Sequence, residues 1–538
     1  LSNNLEIEPQ EESLGAKIRK NTRAALLTFF WGQFIMTVRM LVLFQYLEPE
    51  GYALWVFAFS ISTYFTIYNF GIANAFVKYT AELHTHREYT RLNGLISTGM
   101  AIAVGFGLIV AVLLLLFTEQ AVNFFNVSAQ RHDEAEFVVI GIGLTSAFHI
   151  AFNAYPAILT GIHKLYVVNY CRVGVLTVEI TLTFIALVMG QGLITVMWLY
   201  MAGVVCSNLL TAYFAHKNLP QLRIAPWLAS WRDLKEMLNL GSRLQLLGVV
   251  ALFVSSLDIL VFMKYGSEAM VGLYAIAQRV AERGQGIARQ GFGALAPASA
   301  ELLSREAVEK ARHVYDTANR FTALITVYVF AYMAFNADFI MRFVMDEQYD
   351  ELSVWIFQWL ALANAVHSIT GAGSSMLRGA GAPMRETIYQ ALIGIFFVCS
   401  FYPLHEFWGN TSTQFEESFR HELLLTWPFA LIGGSTVFIF MANRFFKAHL
   451  FSPLDRMLLV VLAGCFLAWL VDRGWHWLGI WEPTGRWDAL VVVGITGSVY
   501  TIAFALATWF LPGLTDSDRD QLRRFLPGAN RFLPRRES

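Results

Sequence analysis

Residues 92–117, LNGLISTGMAIAVGFGLIVAVLLLLF, run for 26 positions without a charged side chain. Wound as an α-helix this stretch is about 39 Å long, more than the roughly 30 Å hydrocarbon core of a bilayer. Runs of the same character flank it at 22–46, 52–77 and 136–159. They recur at 166–188, 193–215, 237–263, 269–298, 319–341, 352–377, 385–404, 421–442, 456–472 and 487–511. The expectation is an all-α, polytopic membrane protein of about fourteen transmembrane helices. Bulk composition agrees: the 538 residues are 56% hydrophobic and 15% charged, where soluble domains carry about 25% charged residues.

Charge placement orients these spans. With the N-terminus in the cytoplasm, the inner segments hold 26 Lys and Arg, whereas the outer ones hold Arg131, Lys264, Arg342, Arg420, Arg473 and Arg486. The positive-inside rule then places both termini in the cytoplasm, as an even span count requires. The basic end, with Arg519, Arg523, Arg524, Arg531, Arg535 and Arg536, is either a tail obeying that rule or a contact for anionic membrane lipid. The first apolar run is too long for a signal peptide and is expected to remain as a helix.

Other classes are disfavoured. A net charge of -1 offers no reason to expect a nucleic-acid partner. Cys171, Cys206, Cys399 and Cys465 lie in apolar runs without CxxC spacing or a nearby His, so neither disulfides nor a metal site is expected. No GxxxxGK[ST] loop occurs, which argues against ATP hydrolysis. The outer loops, longest near 118–135 and 405–420, are too short to fold as domains.

Sliding the sequence along itself until Tyr46 falls on Tyr265 also lays Ala81-Glu82-Leu83 on Ala300-Glu301-Leu302. Each copy reads as a span, a short outer turn, a second span and a basic inner loop, in the same direction. That describes a parallel repeat of two pseudo-symmetric six-helix lobes with two helices added. The expected organisation is a tail at 1–21, a first lobe at 22–216, a linker at 217–236, a second lobe at 237–443, two further spans within 444–511 and a basic tail at 512–538.

The stretch from Leu47 to Trp55, LEPEGYALW, followed by Asn69-Phe70-Gly71-Ile72-Ala73-Asn74-Ala75 and Lys78-Tyr79-Thr80-Ala81-Glu82, resembles the polysaccharide exporters of the multidrug/oligosaccharidyl-lipid/polysaccharide superfamily. Val271 to Arg279, VGLYAIAQR, is similar to the start of that family's eighth helix. The likeness covers most of the chain. Members often carry an acidic residue before the glycine where this chain has Asn69-Phe70-Gly71. The resemblance implies alternating access between two lobes and a substrate of the undecaprenyl-pyrophosphate-linked oligosaccharide type, flipped across a bacterial cytoplasmic (inner) membrane. It also implies working alongside polysaccharide polymerase or export machinery. It implies no enzyme activity and no bound cofactor, with an H+ or Na+ gradient as the candidate driving force.

Seven arginines fall inside spans: Arg39, Arg172, Arg243, Arg279, Arg283, Arg289 and Arg320. Each at mid-bilayer costs about 2.5–3.5 kcal/mol on insertion scales, so a group of them needs water, a partner or an anion. Arg172 and Arg320 lie near cytoplasmic helix ends and are read as snorkelling. In the eighth span, Arg279, Glu282, Arg283, Gly286, Arg289 and Gln290 project within an arc of about 120°. This stripe either binds an anionic head group or locks helices through pairs with Glu282. Arg39 and Asp258 are equivalent in the repeat, and form either a central ion pair that substrate opens or a permanent one. Arg243 joins the substrate candidates, with snorkelling as the competing reading. Glu179 is the remaining deep carboxylate, either carrying a coupling ion or paired.

Aromatic and amide residues at helical spacing suggest sugar contacts: Tyr64, Tyr68 and Asn69; His149, Asn153 and Tyr155; Trp355, Gln358, Trp359 and His367. Helix packing and interfacial belts explain the same residues. The rivals are a cation-coupled drug exporter of the same superfamily, which calls for an acid-dominated cavity, and a membrane glycosyltransferase or ligase, which calls for a larger outer loop. The charge asymmetry yields a direct test of topology. A reporter active only in the cytoplasm should work when fused after Ser538, and activity of a periplasm-only reporter there would refute the orientation.

Overall fold

The computed structural model describes residues 14–65, 72–288, 295–304, 307–382, 384–409, 421–479, 482–483 and 485–510. These residues form helices and connecting turns that separate into two compact units, residues 1–252 and 253–538. The boundary falls within a helix, Trp231–Ser255, which the sequence reading assigns to the linker up to residue 236 and to the second lobe from residue 237.

In the first unit, α1 (Leu14–Phe65) is a 52-residue helix broken at Glu48, whose φ of 59° and ψ of 170° leave the helical region. Pro49 supplies the reason: its ring disfavours a helical residue before it and removes one backbone donor. The sequence reading places an outer turn between two spans at this point. Next come α2 (Ile72–Thr85), α3 (Tyr89–Phe124), α4 (His132–Phe152), α5 (Ala154–Gly161), α6 (Leu165–Val188), α7 (Leu193–Asn218) and α8 (Trp231–Ser255). A bundle of α1, α4, α6 and α7 forms the centre of the unit, and α3 packs along α4. That packing is close because Gly107 lies flat on α4, where a Cβ would come within 2.8 Å of the Ala147 carbonyl oxygen. The opposite face of α3, with Leu108, Ile109, Val112 and Leu116, is exposed, as lipid-facing surface should be.

The segment between α7 and α8 is fastened to the first turns of α3. Asn93 donates to the Gln221 carbonyl at 3.0 Å and accepts from the Arg223 N–H at 3.0 Å. Ser97 accepts from the Ala225 N–H at 3.1 Å, and Thr98 from the Ser230 N–H at 2.9 Å. Neighbouring side chains on one helix face thus satisfy backbone groups that an extended linker leaves open.

The second unit contains α9 (Leu257–Tyr265), α10 (Glu268–Ala288), α11 (Leu295–Ser304), α12 (Val308–Phe335), α13 (Ala337–Met345), α14 (Glu351–Gly379), α15 (Met384–Gly409) and α16 (Thr426–Phe445). Helix α14 is central, touching α10, α11, α12 and α16. Two last helices, α17 (Leu454–Leu478) and α18 (Arg486–Phe510), attach to α12 and α13. A tyrosine ladder seals that attachment. Tyr500 stacks between Tyr328 and Tyr332, and the Tyr332 hydroxyl donates to the Val493 carbonyl at 2.8 Å.

Helix starts reproduce the internal repeat. Tyr89 and Val308, His132 and Glu351, and Leu165 and Met384 each open a helix, and each pair is separated by the same offset that joins Tyr46 to Tyr265. Twelve helical stretches among the described residues are long and apolar enough to cross a membrane. The expected fourteen are recovered when α1 counts twice, once on each side of Glu48, and α10 is included. Helix α10 escapes the apolar criterion because it carries Glu268, Arg279, Glu282 and Arg283.

Helices α11 and α14 cross so closely that a Cβ on Gly379 would lie 2.0 Å from the Ala296 carbonyl oxygen. Gly379→Ala must therefore spread two backbones, a strain of about 1–3 kcal/mol. Thermal unfolding in detergent should show this loss, while Gly105→Ala, which points into open space, should not. Equal stability of the two variants would contradict the crossing.

Candidate functional site

A cavity of about 810 Å³ opens inside the first unit, between α1, α4, α6 and α7. Helical register explains its lining. On α6, Arg172 and Glu179 are two turns apart, so they share a face and sit about 10 Å apart along the axis. On α4 the wall is Thr145 and His149, continued by Asn153 at the junction with α5. On α7 two adjacent rows at helical spacing contribute, Tyr200 and Asn208 in one and Gly203, Ser207 and Thr211 in the other. From α1 come Thr28, Gly32, Gln33 and Arg39.

Arg39 is only 8% exposed and is held from three directions. Its guanidinium lies 4.8 Å from the Trp55 ring centroid and 5.1 Å from that of Tyr200, in range for cation–π attraction on both sides. Nη2 lies 3.4 Å from the Glu179 Oε1, a salt bridge between side chains 10% and 4% exposed. Thr183 Oγ1 donates to the same carboxylate oxygen at 3.5 Å. Gly203 makes room for this pair, since a Cβ there would fall 3.0 Å from the Glu179 Cγ. Arg39 and Glu179 cancel, so Arg172, which makes no ion pair among the described residues, leaves this cavity with one net positive charge.

The opposite wall is neutral and already ordered. Asn208 Nδ2 donates to the Val204 carbonyl at 2.8 Å, and Asn208 Oδ1 lies 3.2 Å from His149 Nδ1. Thr145 Oγ1 donates to the Gly141 carbonyl, and Thr211 Oγ1 to that of Ser207.

In the second unit, Asp258 is fully buried, and its Oδ2 accepts from the Tyr274 hydroxyl at 2.7 Å and from Gln278 Nε2 at 2.8 Å. Its Oδ1 has no hydrogen-bond partner among the described residues. Arg39 and Asp258, considered above as one ion pair, each find these partners within their own unit. On α10, Arg279 pairs with Glu282 at 3.0 Å, both well exposed, and Arg283 is half-buried beside them. Arg289, Tyr68 and Asn69 lie outside the described residues, as does the side chain of Arg243. Tyr64 is half-buried on α1 and does not line the cavity. Tyr155 is buried in the core against Phe152 and His216. In the second unit, His367 bonds Tyr389 and Ser435, and Trp359 packs at a tilt against Phe429.

Sequence reasoning treats Arg172 as a snorkelling residue and misses its place in the cavity. Its two-turn spacing to Glu179 is the signal available. Tyr200 and Trp55 carry no signal, because their role depends on Arg39 lying between them.

Comparison with known proteins adds the following. Residues 42–354 match the family described as polysaccharide biosynthesis protein. A Shigella flexneri protein provisionally named an O-antigen transporter is 28% identical over 125 residues, or 23% of this chain; the chain thus spans 29% of that relative's length. Among solved structures, an inward-facing multidrug-resistance MATE family transporter of the MOP superfamily is similar over 77% of this chain and 94% of its own, at 14% identity and a TM-score of 0.66. The lipid II flippase MurJ in an inward closed conformation is similar over 93% and 100%, at 15% identity and a TM-score of 0.63. At these identities the two structures speak for the fold.

A buried guanidinium whose carboxylate is removed keeps its desolvation penalty without its partner. Glu179→Ala should therefore lower unfolding stability by about 3 kcal/mol, and the double variant Arg39→Met, Glu179→Met should recover most of it. Thermal unfolding of both variants in detergent decides this, and a Glu179→Ala protein as stable as wild type would remove the pair's structural role.

Proposed function

Because the chain belongs to the polysaccharide biosynthesis protein family, we propose that it flips a lipid-linked saccharide with a pyrophosphate head from the inner to the outer leaflet of a bacterial cytoplasmic membrane. The observation that carries this reading is the surplus positive charge of the first unit's cavity, placed by Arg172 inside a helical bundle with lipid-facing walls. A pyrophosphate needs charge and several donors together in a site of low dielectric, which a guanidinium supplies. Arg39 adds a second guanidinium, already desolvated and oriented by Trp55, Tyr200 and Glu179. The neutral hydroxyl and amide wall faces the same space and suits the sugar.

The likeness to a multidrug exporter keeps a rival in view. An exporter of organic cations requires an available carboxylate, whereas Glu179 is neutralised by Arg39 and the cavity is net positive. In the flippase reading both termini are cytoplasmic, and Glu179 and Asp258 are the carboxylates on which a proton or Na+ gradient would act. The product would pass to polysaccharide polymerase or export machinery.

Charge-assisted hydrogen bonds contribute about 1.5–3 kcal/mol, or roughly ten- to a hundredfold in affinity. Arg172→Glu should thus reduce flipping at least tenfold in liposomes loaded with the lipid-linked saccharide pool of the source cells, without loss of folded protein, since Arg172 is exposed to the cavity. Arg172→Lys should keep part of the rate. Normal flipping by a well-folded Arg172→Glu protein would overturn the proposal.

A further inference from the structure

We propose that His149 reads the saccharide: Asn208 holds its ring in the Nδ1–H tautomer, and the bare Nε2 accepts a hydrogen bond from a sugar hydroxyl or acetamido N–H. This rests on the cavity being the site for a lipid-linked saccharide. The chain of donors sets the tautomer. Asn208 spends an Nδ2 hydrogen on the Val204 carbonyl at 2.8 Å, which orients its amide. The Oδ1 that faces His149 Nδ1 at 3.2 Å is then an acceptor, so Nδ1 must carry the proton. A neutral imidazole has a single N–H, and Nε2 is left with a lone pair. No described residue bonds Nε2, and the ring lines the cavity.

Two hydroxyls on the same wall point to the same chemistry. Thr145 Oγ1 gives its hydrogen to the Gly141 carbonyl at 2.5 Å, and Thr211 Oγ1 gives its own to the Ser207 carbonyl at 2.7 Å. Each has only lone pairs left for a ligand. At His149 Nε2, Thr145 and Thr211 the α4–α7 wall therefore offers acceptors only, while Arg39 and Arg172 are donors only. A pyrophosphate diester has no hydrogen to donate and is turned away by the first set. A polyhydroxyl sugar is rich in donors and suits it. The cavity thus sorts the two ends of its substrate.

The internal repeat shows that the imidazole of this wall is not required by the scaffold. The positions equivalent to Thr145, His149 and Asn153 in the second unit are Asn364, Ser368 and Ala372.

The test uses full-length protein in nanodiscs with 15N-labelled histidine, the His149 signals being assigned by their loss in His149→Gln. Without ligand, the proton should be on Nδ1. Farnesyl pyrophosphate should bind and leave Nε2 unmoved, whereas the pyrophosphate-linked saccharide pool of the source cells should shift Nε2 toward a hydrogen-bonded nitrogen. His149→Phe should weaken binding of the saccharide pool about tenfold, the equivalent of one net hydrogen bond, and leave farnesyl pyrophosphate binding as in wild type. Asn208→Leu should release the tautomer. A proton on Nε2, an imidazolium, a shift caused by sodium chloride alone, or an unmoved Nε2 with both ligands bound would overturn the assignment. Failure of both ligands to bind would instead remove the cavity reading beneath it.

Discussion

A guanidinium inside a lipid-facing helical bundle is the constraint around which the first unit is built. Arg39 cannot reach water by lengthening its side chain, so its surroundings must replace hydration. They do so from three helices. The break at Glu48 turns α1 so that Trp55 comes back over Arg39, α7 brings Tyr200 to the other face, and α6 brings Glu179 to the edge. Gly203 leaves room for this arrangement, because a Cβ on α7 at that position would press within 3.0 Å of the Glu179 Cγ. The cavity begins where that packing ends, so the group that organises the unit also supplies one end of the site.

The repeat uses one geometry with opposite charge. Arg39 lies against Trp55, and at the equivalent place in the second copy Asp258 bonds Tyr274. In both copies, a charge in one helix meets an aromatic residue at the same separation along the chain, beyond the break that follows the span. An aromatic face attracts a cation, and a phenolic hydroxyl donates to an anion, so changing the ring type goes with changing the sign. Asn153, Arg172 and Glu179 have apolar counterparts in the second copy, whereas His149 and Thr145 are matched there by the smaller or neutral Ser368 and Asn364. Duplication accounts for the scaffold and its breaks, while the chemistry of the cavity belongs to the first unit.

Charges on the described part of α10 are arranged differently from those around Arg39. Arg279 and Glu282 are neighbours one turn apart on a single helix and well exposed, so their pairing is local and screened by solvent. The Arg39–Glu179 pair joins two helices, α1 and α6, that lie far apart in sequence, and it is nearly buried. Only the second kind can hold a bundle in one arrangement, because breaking it leaves a desolvated charge.

The number and repetition of the helices were legible in the sequence. Apolar run length is set by bilayer thickness, and repetition shows as a fixed offset. Arg39, Glu179 and Asp258 also stood out, since an ionised side chain within an apolar run is conspicuous wherever it points. Tertiary structure decided their partners. Arg39 chose Glu179 because α1 and α6 pack side by side, and no periodicity within either helix reports that neighbourhood. Arg172 became part of a cavity for the same reason, although its position near a helix end suggested escape to the interface. The proton on His149 depends on which amide oxygen faces its Nδ1. That is settled only when α4 and α7 meet, because a sequence specifies which faces helices carry, and packing alone specifies what each face sees.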